Sequence, residues 1–388
     1  MRTAEFISSE DPRWEKFLRT CRHDFYHLPE YAKLCAKYEG ATPAAFYAED
    51  GHTAFLAPLM IRPIPRNLGA PEGWSDAVSP YGYSTPLVTP PQASLEASLE
   101  AFCLAARQRS LVTAFFRLHP LLVLNHEGLG RIGNVVKHGQ TVFIDLTESS
   151  EAIWAQTHGW HRREIQRLVR LGFTVSLDDW KRFEDFFTIY HETMQRVKAK
   201  EMYLFPREYF EDLRAALGER LHLCCVLSPE NEVATACLFV EMLGIVQIHL
   251  MGTARKFLRL APSKLATDFI RRWAQERSNE VLHLGGGVGS SSDSLFEHKA
   301  GFAKGRSDFY SYRIVFDAEK YDQLIPLASA IGQETRSTDS DFFPAYRTFV
   351  RLPERLRSYD QRDRDELTTQ MVAWHEAAIN SPGEAVES

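Results

Sequence analysis

The sequence predicts an α+β protein built twice on one plan. Both halves run helix, antiparallel strands, helix, strand, and the polar segment Asp145 to Ser150 separates them. The composition, 44% apolar and 25% charged, is that of a globular chain with ample material for cores. At about 150 residues per domain, the 388 residues divide into 1–147, 148–318 and a C-terminal extension, 319–388, helical with a frayed end.

In the first half the pattern predicts a helix over Leu28–Glu39 and a strand pair over Ala44–Met60 turning at Glu49-Asp50-Gly51. A helix over Gln92–Arg109 and a strand over Leu111–Leu118 follow. Residues 62–91, rich in Pro and Gly, read as one long loop, and structureless stretches of that length in a compact domain are commonly functional. An apolar strand, Thr141–Ile144, leads to the junction.

The second half predicts helices over Asp179–Lys200 and Pro206–Leu217, then strands Leu221–Leu227, Val233–Val240 and Ile245–Met251. Trp180, Phe183, Phe187, Tyr190, Met194 and Val197 recur at helical spacing and belong to a core. A helix over Pro262–Ser278 has proline in its first turn and Leu265, Ala266, Phe269, Ile270, Trp273 and Ala274 on one face. It lies between Ile245–Met251 and a strand at Val281–Leu284, which predicts a right-handed crossover joining parallel strands.

Several classes are excluded. Lys plus Arg (45) against Asp plus Glu (51) gives −6, so any nucleic-acid contact is local. The six cysteines include no C-x-x-C pair and read as reduced, buried thiols of a cytoplasmic protein. The first residues lack the apolar core of a signal peptide. Val233–Gly252 is interrupted by Glu241, Gly244, Gln247 and His249, so no membrane span is expected. The histidines lack metal-ligand spacing and no G-x-S-x-G occurs, so neither a metal site nor a hydrolase nucleophile is expected.

Three stretches carry candidate chemistry. Leu282–Gly305 leaves a strand through Gly285, Gly286, Gly287 and Gly289 before a short helix with Lys299. It matches neither a Walker loop nor G-x-G-x-x-G. It is either a plain flexible turn or a place where substrate approaches the backbone closely. His283, next to these glycines, is the histidine to test as a general base. Trp160–Gly172 is a basic helix in which Arg162, Arg163, Arg167 and Arg170 face only Glu164. It is a solvated face or a phosphate clamp. Arg255–Arg277 includes Arg259 and Lys264 at a helix start, where free N–H groups favour an anion.

Taken in order, these features resemble the Fem-type branch of the GNAT acyltransferase superfamily, over roughly residues 20–310. DFYHLPEYAKL (Asp24–Leu34) resembles its first-helix signature and SPYGYSTPLV (Ser79–Val88) its tyrosine-glycine acceptor loop. Arg162, Ile165 and Gly172 fall at its R-x-x-I spacing before a glycine. LAPSKLATDFIRRWAQ, LHLGGG and FEHKAGF resemble its closing helix, strand and lysine segment. The resemblance implies two tandem GNAT-like domains, each a mixed sheet flanked by helices, with donor binding and transfer in the second. It also implies transfer of an acyl or aminoacyl group from acyl-CoA or aminoacyl-tRNA, used as co-substrate with no tightly bound cofactor. The acceptor is then an amine on a small molecule, glycan or peptide. The ordinary GNAT pyrophosphate loop is missing here, as in Fem-type proteins.

On this basis Lys299 and His283 are the candidate catalytic residues. Arg162, Arg163, Arg167, Arg259, Lys264, Gly285, Gly286 and Gly287 are the donor-side candidates. Tyr81, Gly82, Tyr83 and Tyr203 are the acceptor-side candidates. All depend on the strands near 248 and 283 lying parallel and parting at one end. The other reading is a catalytically inactive double-GNAT protein with a binding or assembly role in cell-envelope polysaccharide production.

Overall fold

A computed structural model describes residues 2–199, 203–287, 292–331 and 342–347. Gly289 and most of the C-terminal extension beyond 331 lie outside the described residues. In chain order the first half is β1 (Thr3–Ser8), α1 (Pro12–Leu18), α2 (Pro29–Glu39), β2 (Thr42–Glu49), β3 (Ala54–Pro63), β4 (Ser75–Val78), β5 (Leu87–Thr89), α3 (Glu96–Gln108), β6 (Leu111–Arg117), α4 (His126–Gly130) and β7 (Asn134–Asp145). The second is α5 (Ser150–Gln156), α6 (Gly159–Arg170), β8 (Thr174–Leu177), α7 (Phe183–Arg196), α8 (Arg207–Leu217), β9 (Leu221–Leu227), β10 (Val233–Met242), β11 (Ile245–Thr253), α9 (Ser263–Glu276), β12 (Val281–Gly285), α10 (Ser294–Ala300) and β13 (Gly305–Val315), followed by α11 (Ala318–Ile331).

The strands form one sheet in the order β1-β2-β3-β4-β6-β13-β7-β12-β11-β10-β9-β8, with β5 on β3. The expected α+β class holds, and each half contributes a mixed sheet. β4 runs parallel to β6 and β11 parallel to β12, while the other pairings are antiparallel. The two halves of the sheet join through β13, which closes the second half yet lies between β6 and β7. β7 in turn pairs with β12, so hydrogen bonding runs without a break across the sequence boundary.

Period-two alternation explains why the central strands are buried on both faces. In β9, Leu221, Leu223, Cys225 and Leu227 face the core under α2, α7 and α8, while Cys224 and Val226 face the core under α6 and α9. Adjacent Cys224 and Cys225 thus point to opposite sides of the sheet, and both thiols are free and buried. The core under α2, α7 and α8 runs through both halves, from Ile7 to Leu250. On the opposite face α3 covers the first half with Leu95, Leu99 and Phe102.

Two expectations are corrected. The stretch 62–91 is not structureless: β4 and β5 fall within it, both antiparallel to β3 along the edge opposite β2, β5 at Ala54–Leu56 and β4 at Met60–Pro63. The helix expected over Asp179–Lys200 is shorter. Asp179 caps a 3-10 turn, Trp180–Arg182, before α7, which ends at Arg196 ahead of Lys198 at φ +49. The strand expected over Thr141–Ile144 is the end of a longer one, β7, which starts at Asn134 because its first part pairs with β13, and the other predicted elements stand with ends moved by a few residues.

Candidate active site

β11 and β12 pair in parallel at Ile245/Val281, Val246/Leu282 and Gln247/His283, and the pairing stops there while β11 continues to Thr253. Each strand carries an irregularity at this point. The β10 register skips His249 on β11, and the β7 register skips Leu284 on β12. Bulges bend strands and re-aim side chains, and here two of them flank the place where parallel neighbours part.

Lys299 reaches this place from α10. Asp293 caps α10 through the Phe296 N–H, and His161 of α6 anchors the same helix by donating to the His298 carbonyl at 2.8 Å. Lys299 Nζ donates to the Gly286 carbonyl at 2.6 Å. Desolvation pushes the lysine down to about 8, opposed by the charge of Asp293. Gly285 has φ +77, and a Cβ there would sit 3.4 Å from Lys299 Nζ and 3.8 Å from the Tyr83 hydroxyl. The glycine therefore gives both groups room in a backbone conformation that side chains rarely adopt.

The first half supplies the opposite wall. The Tyr83 ring lies 5.3 Å from that of His283 and 6.0 Å from that of His119. His119, buried after β6, donates from Nε2 to Asp24 Oδ2 at 3.0 Å, and its Nδ1 accepts the Leu121 N–H at 3.1 Å. Those two bonds assign the neutral ring's single N–H to Nε2. Gly82, at φ +102, lies so close to Tyr26 that a Cβ would fall 2.1 Å from Tyr26 Cε1. Tyr81 meets Tyr203 edge to face at 6.2 Å and approaches His249 at 6.4 Å. Burial holds His249 down to about 4 and raises Tyr83 to about 12.

Buried polar atoms normally find partners. Two that lack one lie against the tyrosine loop: His283 Nε2, whose ring meets Tyr83, and His249 Nε2, whose ring meets Tyr81. Two unpaired imidazole nitrogens beside the tyrosines fit a place built for polar groups of a ligand. Among the described residues no cluster of His, Cys, Asp and Glu is arranged to hold a metal, and no helix is long and apolar enough to cross a membrane.

The sequence candidates divide into two groups. Lys299, His283, Gly285, Gly286 and Tyr83 meet at the end of β12, Tyr81 and Gly82 precede Tyr83, Tyr203 packs on Tyr81, and Gly287 follows Gly286. The basic candidates sit on α6 and around the start of α9, and the charges of Lys264 and Lys299 both bear on His298. Lys264 is 6% exposed and its ammonium lies 5.7 Å from the Trp160 ring, with Arg163 at 5.8 Å from the same ring. Arg167 pairs with Glu164 at 3.7 Å, Arg162 is half-buried, and Arg259 is exposed on the 3-10 turn before α9. Asp24, Tyr26, His119, Gln247 and His249 were not among the candidates. Asp24 opens the first-helix signature, but nothing in sequence joins it to His119, 95 positions away.

A sheet of two mixed halves with a parallel pair that parts is an arrangement shared with several solved structures. FemX matches with a TM-score of 0.63, at 11% identity, over 82% of this chain and 99% of that one. L-PGS from Bacillus licheniformis matches at 0.52, 15% identity and 82% and 97% coverage. The C-terminal domain of a lysylphosphatidylglycerol synthetase from Agrobacterium fabrum matches at 0.51, 14% identity and 82% and 95% coverage. At these identities the likeness is one of fold. No protein-family model and no curated protein matches the sequence.

Proposed function

We propose that this chain is an acyl- or aminoacyltransferase that moves a group from acyl-CoA or aminoacyl-tRNA onto an amine by direct attack. The observation that carries this reading is the β11–β12 pair, parallel as far as Gln247 and His283 and then parting, with Lys299 at the opening. In this reading residues 148–318 bind the donor. Arg162, Arg163, Arg167, Arg259 and Lys264 meet its phosphates, and Gly285–Gly287 let it pass close to the backbone. Residues 1–147 present the acceptor through Tyr81, Gly82 and Tyr83, with Tyr203 opposite. The acceptor is an amine on a small molecule, glycan or peptide.

The neutral amine nitrogen attacks the carbonyl carbon of the carrier ester or thioester, and a C–N bond forms. The oxyanion is stabilised by the Lys299 ammonium and by β11 N–H groups beyond Gln247. The intermediate then breaks its C–O or C–S bond, and the leaving oxygen or sulfur takes the proton the amine has lost. Holding both substrates in one slot supplies much of the rate, as in well-oriented intramolecular reactions.

Intact-mass detection of product tests the reading, with acyl-CoAs and charged tRNAs offered separately against a panel of amines. An acceptor that gains the mass of the transferred group with one donor class is the expected result. Saturable binding of neither donor overturns it and favours a binding or assembly role.

A further inference from the structure

We propose that Gln247 is a positioning residue that holds His283 in the one tautomer able to take the proton from the attacking amine. The inference rests on the transferase reading above and adds to it a residue, an atom and a proton path.

Gln247 and His283 are the last register partners before β11 and β12 part. The Gln247 amide nitrogen donates to the Ile248 carbonyl at 2.6 Å, which turns its Oε1 toward His283. An amide oxygen only accepts, so the Nδ1 hydrogen-bonded to it carries the ring's proton. A neutral imidazole has one N–H, and Nε2 is therefore a bare lone pair. Burial, with His119 and Lys299 nearby, drives the ring's proton affinity well below the ordinary value and keeps it neutral.

That lone pair is buried and has no partner among the described residues. An unpaired buried polar atom costs about 1–3 kcal/mol, a cost that a substrate N–H recovers. The groups around the ring are His119 after β6, Lys299 of α10 and Tyr83 of the loop before β5. The lone pair of His119 is already taken by the Leu121 N–H, so of the two histidines beside Tyr83 only His283 can accept. Half-buried Tyr83 is the more open of the rings against His283, and the amine approaches along it. As the C–N bond forms, the nitrogen's proton passes to His283 Nε2. When the C–O or C–S bond breaks, the imidazolium returns that proton to the leaving oxygen or sulfur, and the ring is neutral again.

The test combines nitrogen NMR of histidine-labelled protein, with the His283 signal assigned by its loss in His283→Gln, and steady-state kinetics. Wild type is expected to show the Nδ1–H tautomer. Gln247→Leu is expected to lose the single tautomer and to drop kcat about tenfold or more, with donor KM little changed. Gln247→Glu keeps an acceptor at Nδ1, and is expected to retain the tautomer, recover turnover and shift the acidic limb of the pH profile upward. An Nε2–H tautomer in wild type, or wild-type kcat and pH profile in Gln247→Leu, overturns the proposal. An Nδ1–H tautomer in a protein that transfers nothing from either donor overturns the catalytic role and the transferase reading while leaving the geometry intact.

Discussion

Lys299 Nζ donates to the Gly286 carbonyl at 2.6 Å, which ties the lysine to the backbone where β12 leaves its parallel neighbour. The bond uses one of three ammonium protons and leaves two for a developing oxyanion. Because Gly286 follows immediately on β12, the cation is held by the sheet rather than by a loose side chain.

Turnover should therefore depend on the protonation of Lys299. Its folded value of about 8 lies below the ordinary lysine value of 10.5, so the charged form is present below about 8 and lost above it. Activity is expected to fall as pH rises through that point, and Lys299→Arg, which stays charged, should remove this alkaline limb where it is active. Lys299→Ala should lower kcat at least about tenfold with an unchanged circular dichroism melt. A flat profile from pH 7 to 9 (roughly one unit either side of the transition) would take the cation out of the mechanism.

Asp24 and His119 both have fully buried side chains, and their bond joins the α2 approach to the strand β6. Asp24→Ala leaves the His119 Nε2–H without an acceptor and should cost about 1.5–3 kcal/mol. Asp24→Asn keeps an oxygen there and should cost less. Urea midpoints at constant slope check this; equal losses for the two variants would mean that the bond contributes little.

Gly82→Ala should be poorly tolerated for two separate reasons. The backbone is at φ +102, and the new Cβ would fall 2.1 Å from a Tyr26 ring carbon that its neighbours hold in place. Strain alone is about 1–3 kcal/mol. Since Gly82 separates Tyr81 from Tyr83, acceptor KM should rise while donor affinity is unchanged, as separate titrations would reveal.

Lys264 is a largely buried cation beside the Trp160 ring, and burial lowers its proton affinity against the opposing charge of Glu164. Lys264→Met should weaken donor binding without loss of thermal stability, since desolvating the ammonium costs the fold more than the attraction of Glu164 returns. If the donor is tRNA, the salt slope of binding should fall by about one. A drop in melting temperature with unchanged donor affinity would assign Lys264 to packing.

Local periodicity was enough to place most helices and strands, and a parallel crossover through Pro262–Ser278 was legible because a proline-led amphipathic helix between two apolar strands admits few other arrangements. Lys299 and the Tyr81–Tyr83 segment became candidates through the family resemblance, and His283 through its place beside the glycines. The insertion of β13 between β6 and β7 was not legible, since strand order is chosen by long-range pairing, to which side-chain period is indifferent. Nor were Asp24, His119 and Gln247, ordinary polar residues in their own neighbourhoods. Their roles arise when burial removes water and leaves each donor one available acceptor, and that selection exists only once distant segments are packed together.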